Sequence, residues 1–165
     1  MAERPKERDA DADVPCVGQE RNPFTFGIAK ADMLIRGGDP DNMQFGDTLD
    51  EDKFDGYQFD YCISNPPFGI DWKREAAAVE AEHKKGAAGR FAPGLPSKSD
   101  GQMLFLLNGL SKLKEEGRMA IIQNGSSLFT GDAGSGQSEI RRSLYANDWL
   151  DAIVKLPTRS FYNTG

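Results

Sequence analysis

Short apolar runs alternate along the chain with amphipathic stretches, and the alternation predicts a series of strands and helices. A short strand is expected over residues 13–17, ending in Gly18-Gln19-Glu20. Asn22-Pro23 starts a helix well, because asparagine caps exposed N–H groups and proline suits the first helical position. Phe26, Ile28, Ala29, Met33 and Leu34 give that helix an apolar face through residue 35, and Gly37-Gly38 ends it. A turn over residues 39–42 leads to a brief strand at 43–45, then Gly46-Asp47-Thr48-Leu49 and an acidic loop over 50–56. The run FDYCIS, residues 59–64, is apolar enough on both faces to lie centrally in a covered sheet. Residues 69–98 form an excursion long enough to be read as a functional loop. Met103, Leu106, Leu107, Leu110 and Leu113 repeat at helical spacing and predict a helix over 99–116, stopped by Gly117. A strand at 118–123, a charged amphipathic helix at 138–147 and a strand at 150–156 complete the series.

This order builds an α/β fold with a mostly parallel sheet and helices on both faces. In such sheets ligands bind beyond the carboxyl ends of the strands. Here the strands end in Gly18-Gln19-Glu20, Gly46-Asp47, Asn65-Pro66-Pro67-Phe68 and Asn124-Gly125-Ser126, so four polar endings are expected on one edge.

Composition narrows the picture. At 165 residues there is room for one core, and residues 1–12, charged and with nothing to bury, are expected to be disordered or a helix remnant, leaving 13–165 as the domain. With 28% charged residues and no apolar run long enough to cross a bilayer, no membrane association is expected and the location reads as cytoplasmic. Cys16 and Cys62 sit in apolar stretches and read as buried reduced thiols. His83 is the only histidine and has no ligand cluster around it, so no metal is expected. The net charge of −6 disfavours a module that grips nucleic acid by a general basic surface; if nucleic acid is bound, another subunit supplies much of the grip.

Glu20, at a strand tip, is where a carboxylate could accept both ribose hydroxyls of a nucleotide, although a solvated glutamate before a helix looks the same. Asp47 could accept from an adenine amino group or merely turn the chain. Asn65-Pro66-Pro67-Phe68 is more specific, because its parts suit methylation of an exocyclic amino group. The Asn65 side-chain oxygen and the Pro66 carbonyl can both accept from that amine, Pro67 stiffens the segment, and Phe68 offers a face for an unstacked base. The bland reading is a proline-terminated strand with a core phenylalanine.

The segments GQERNPFTFGIAKADMLIRG, FGDTL, FDYCISNPPFGIDWK, GRFAPGLPSKSDGQMLFLL, NGSSLFTGDAGSGQSEIRR and LPTRSFYNTG together resemble the modification subunits of type I restriction–modification systems, which are N6-adenine DNA methyltransferases. The resemblance runs collinearly from about residue 11 onward. It implies a Rossmann-like methyltransferase core using S-adenosylmethionine, with DNA, a specificity subunit and a restriction subunit as partners. It places Glu20 on the ribose-binding acid, Asp47 on the contact to the cofactor's adenine, and Asn65, Pro66, Pro67 and Phe68 on the catalytic loop, with Asn65 also facing the cofactor. Family members carry a glycine-rich loop about 20 residues before the ribose-binding acid. Residues 1–17 contain no glycine, so that strand and loop, a helical N-terminal domain and further C-terminal strands are expected to be missing, and the chain reads as an incomplete domain. Alternatives are an RNA or protein (glutamine) methyltransferase, and a non-catalytic remnant serving as an interaction module.

Two other motifs carry less. Gly131-Asp132-Ala133-Gly134-Ser135-Gly136 has no Lys-Ser/Thr partner and reads as flexible rather than phosphate-binding. EAAAVEAEHKK, residues 75–85, reads as a solvated helical face, while Lys73, Arg74, Lys84, Lys85, Arg90 and Lys98 leave phosphate contacts from the 69–98 segment as a lesser alternative.

Overall fold

The computed structural model of the chain describes residues 14–157 and residue 160. Residues 1–13, and with them the expected disorder of 1–12 and the start of the strand at 13–17, lie outside the described residues. Among the described residues four strands, β1 (Gly18–Glu20), β2 (Met43–Phe45), β3 (Phe59–Ser64) and β4 (Leu113–Ile121), are joined by α1 (Pro23–Ile35), α2 (Ala76–His83) and α3 (Gln102–Leu110). A short 3-10 turn at Gly125–Leu128 and α4 (Gly136–Ala146) follow.

The first unit is a strand–helix–strand crossover. Asn22 accepts the N–H groups of Phe24 and Thr25 at 2.9 and 3.1 Å, with Pro23 at the first helical position. At the other end of α1 the Gly38 N–H reaches the Met33 carbonyl at 2.8 Å and the Gly37 N–H reaches Leu34 at 3.1 Å, with Gly37 at φ +75. This paired arrangement requires the left-handed conformation that glycine adopts most readily. Crossing back, the chain lays β2 parallel to β1, with Glu20 opposite Phe45, and Phe26 packs edge-on against Phe45 at 5.4 Å. The strand proper is Gly18-Gln19-Glu20, the tripeptide expected to end it, while residues 14–17 are unpaired.

The second unit pairs β3 with β4, also in parallel. Here α3 ends at Leu110 rather than near residue 116, and the strand begins at Leu113 rather than 118. Leu113 continues the apolar repeat of the helix, but it pairs with Phe59 instead. The register then jumps to Tyr61 opposite Arg118, so residues 114–117 bulge out of the ladder. Gly109 lets α3 approach the sheet: a side chain there would collide with the Met119 thioether and press on the Cys62 sulfur.

Among the described residues every ladder is parallel, as the α/β reading requires, but the strands form two two-stranded ladders, so ladder hydrogen bonds do not align four tips on one edge. One face of β3 is covered by α3, while Tyr61 and Ile63 on the other face stay exposed at 74% and 57%. Residues 150–157 are not a strand: Ile153 and Val154 are exposed, no ladder partner pairs with them among the described residues, and Asp151 meets Arg118 at 2.8 Å. Apolar alternation supplies a strand's side chains, but only a neighbouring strand supplies its hydrogen bonds.

The core gathers Leu49, Trp72, Val79, Phe91, Met103, Leu104, Leu107 and Ile140. Three of these come from residues 69–98, so this excursion is core-building structure and not an extended loop. Trp72 donates its indole N–H to the Ser97 carbonyl at 2.9 Å, and the His83 Nδ1 lies 2.7 Å from the Phe91 carbonyl. Since a carbonyl only accepts, that nitrogen carries the proton. The α2 segment buries Val79 and Glu75 and is therefore not a wholly solvated face. Ser135 caps α4, and Gly136 abuts the Leu95 carbonyl, which fixes the glycine-rich run as a turn and helix start. Both thiols are free, but against the expectation of burial Cys62 is only half-buried and Cys16 is exposed.

Candidate functional site

At the tips of β1 and β2 the structure brings Glu20 and Asp47 together on neighbouring parallel strands, with the Gly46 N–H bonded to the Glu20 carbonyl at 3.1 Å. Glu20 turns one carboxylate oxygen onto the Asn22 N–H at 2.6 Å. Asp47 uses both oxygens: Oδ1 accepts the Leu49 N–H at 2.9 Å, and Oδ2 accepts from Arg21 Nη1 at 2.6 Å. The same Arg21 nitrogen lies 3.3 Å from Glu75 Oε1. The hydrogen bond and charge of Asp47, with a smaller contribution from Glu75, hold the Arg21 guanidinium above its ordinary pKa. Arg21, Asp47, Asp50, Arg74 and Glu75 line a hollow of about 400 Å³. This lies within the size range of small-molecule sites.

Asn65-Pro66-Pro67-Phe68 follows the last residue of β3. Pro66 is buried, Asn65 is exposed, and Phe68 is 40% exposed. Among the described residues neither the Asn65 side chain nor the Pro66 carbonyl makes a hydrogen bond, so the two acceptors are unspent. Because β3 and β4 are adjacent and parallel, with the Ile122 N–H on the Ser64 carbonyl at 3.0 Å, the segment after β4 emerges beside this motif. That segment is anchored by Gln102, 2% exposed, which accepts the Asn124 N–H at 2.9 Å and donates to Asp100 and to Ser126. Glu20 and Asp47 thus share one ladder, and Asn65 to Phe68 end the other. The hollow at the β1 and β2 tips has no lining residue from the Asn65–Phe68 motif.

A model of the family described as N-6 DNA Methylase matches residues 2–165. The chain belongs to the N-6 DNA Methylase family. The Rossmann-like architecture, with every ladder among the described residues parallel and with helical crossovers, is the fold this family implies. The chain is similar to the type I restriction enzyme MjaIX methylase subunit of Methanocaldococcus jannaschii, 27% identical over 88% of this chain and 25% of that protein. It is also similar to the HindI methylase subunit of Haemophilus influenzae, 28% identical over 92% of this chain and 32% of the relative. For the MpnII methylase subunit of Mycoplasma pneumoniae the identity is 29%, over 89% and 28%. The chain therefore spans about a quarter to a third of the length of the relatives it matches.

Within this N-6 DNA Methylase chain, sequence reasoning passed over Arg21, Glu75 and Gln102. Arg21 carried a signal in its place beside Glu20, at a strand tip. Glu75 and Gln102 carried none, because their partners lie 54 and 22 residues away. Arg90, one of the cations offered as a phosphate contact, is instead spent inside the fold on Glu82, Asn108 and the Thr48 carbonyl. Lys98 pairs with Glu80 at 2.7 Å, and Lys85 with Glu82 at 3.2 Å. Among the described residues no helix is long and apolar enough to cross a membrane.

Proposed function

We propose that this chain is the catalytic segment of an N6-adenine DNA methyltransferase subunit of a type I restriction–modification system, transferring a methyl group from S-adenosylmethionine to an adenine extruded from the duplex. The observation that carries the reading is the pair of unspent acceptors, the Asn65 side-chain oxygen and the Pro66 carbonyl, at the end of β3 beside the half-exposed Phe68 ring. Accepting both N–H groups of an adenine amine returns electron density to its nitrogen. The Phe68 face holds the base by stacking, worth about 1–3 kcal/mol per base, and Pro67 limits how far the motif can swing. The proton leaves after the methyl arrives, so no general base with a shifted pKa is required.

S-adenosylmethionine, when bound, supplies the electrophilic methyl group. The residues at the β1 and β2 tips fit its adenosine: Asp47 retains lone pairs beyond those used by Leu49 and Arg21, and Glu20 has a second oxygen beyond the one spent on Asn22. DNA and the specificity and restriction subunits are the partners in this reading. Its support is the family and the similarity to type I restriction enzyme methylase subunits, together with a net charge of −6, which leaves much of the DNA grip to another chain.

The test is methyl incorporation into duplex DNA, RNA and protein by the complete subunit carrying this chain. Asn65→Ala is expected to abolish incorporation into DNA while leaving S-adenosylmethionine binding by calorimetry nearly intact. Loss of cofactor binding would mean that Asn65 serves the cofactor and not the base.

A further inference from the structure

We infer that Arg21 is a positioning residue for Asp47, fixing its carboxylate as an oriented acceptor for the amino group of the cofactor's adenine, and that Glu75 holds Arg21 in that place. The inference deepens the proposed function and rests on its cofactor reading.

Asp47 follows a strand of only three residues, and its position alone leaves the side chain free to rotate. Two donors remove that freedom from opposite ends: the Leu49 N–H holds Oδ1, and Arg21 holds Oδ2. The Arg21 contact is the shorter of the two, at 2.6 Å against 2.9 Å for Leu49.

Arg21 would be mobile on its own, since its side chain is 54% exposed. The Glu75 side chain, only 8% exposed, meets the same Arg21 nitrogen and ties it to the N-cap of α2. Glu75 follows Phe68 by seven residues, so Arg21 also joins the cofactor end of the site to the segment that leaves the Asn65–Phe68 motif.

The experiment is calorimetric titration of the complete subunit with S-adenosylhomocysteine and with its 6-oxo counterpart, in which inosine replaces adenosine. The unmutated protein is expected to prefer the amino compound by about ten-fold, the scale of one hydrogen bond to a charged group. Arg21→Ala and the neutral, longer Arg21→Gln should lose that preference by weakening the amino compound alone, whereas Arg21→Lys should restore most of it. Equal weakening of both compounds, or an unchanged preference, overturns the inference; if Asp47→Asn still erases the preference, the cofactor reading survives. A preference that persists in Asp47→Asn, its absence from the unmutated protein, or no binding of either compound overturns the cofactor reading and the inference with it.

Discussion

The Arg90 guanidinium meets the Glu82 carboxylate at 2.7 Å on a side chain only 10% exposed, and it donates further to Asn108 and the carbonyls of Thr48 and Leu49. Arg90 also lies 3.5 Å from Asp52, which pairs with the equally buried Lys112. One cation therefore joins the segment after β2, the α2 helix and the α3 helix.

Arg90→Ala is expected to destabilise the chain by about 3–5 kcal/mol, because removing one partner leaves buried acceptors without a donor. Urea unfolding followed by circular dichroism checks this. A loss below about 1 kcal/mol, the range of exposed pairs, would show that the cluster is solvated.

The same pair sets an acid limit. Burial raises the Glu82 pKa, but the hydrogen bond and charge of Arg90, aided by Lys85, outweigh it and hold the carboxyl below its ordinary value of 4.5. A carboxyl lowered in the folded state binds fewer protons there than in the unfolded chain, so its contribution is complete above 4.5 and fades as pH falls below it. Thermal melts from pH 6 to pH 3 should show a steep acid loss that Glu82→Gln flattens. Parallel pH profiles for the two proteins would contradict this.

Gln102 closes the junction between α3 and the end of β4, and its amide is nearly fully buried. Gln102→Leu removes the acceptor of the Asn124 N–H and is expected to cost about 1–3 kcal/mol, the desolvation of an unsatisfied buried donor. Hydrogen exchange at Asn124 should accelerate in the variant; unchanged protection would mean that the bond does not form in solution.

The two thiols should separate by environment. Burial pushes the Cys62 thiol above its ordinary pKa, while Cys16 is exposed. Limited alkylation at pH 8 followed by peptide mass analysis should label Cys16 well before Cys62. Similar rates would place Cys62 at the surface.

Phe68→Ala in the complete subunit should weaken binding to DNA whose target adenine is unpaired by about ten-fold, the scale of one lost base–aromatic stack. Fluorescence anisotropy with such a duplex measures it, and an unchanged affinity would remove Phe68 from the base-holding role.

Local chemistry was legible in the sequence. Asn22-Pro23 and Gly37-Gly38 bound α1 at both ends, since capping depends on residues adjacent in the chain. The proline pair after Ser64 ends β3 for the same reason, and it leaves Asn65 and Phe68 presented beyond the strand. Leu113 and residues 150–156 misled the reading, because an apolar residue looks alike whether it extends a helix, opens a strand or finds no partner. Only the tertiary structure decided that Trp72, Val79 and Phe91 turn the 69–98 stretch into core, that Arg90 is spent inside the fold, and that Arg21 bridges Asp47 and Glu75. Caps, turns and strand ends arise from neighbours along the chain, whereas burial and charge pairing depend on residues that only folding brings within a few ångströms.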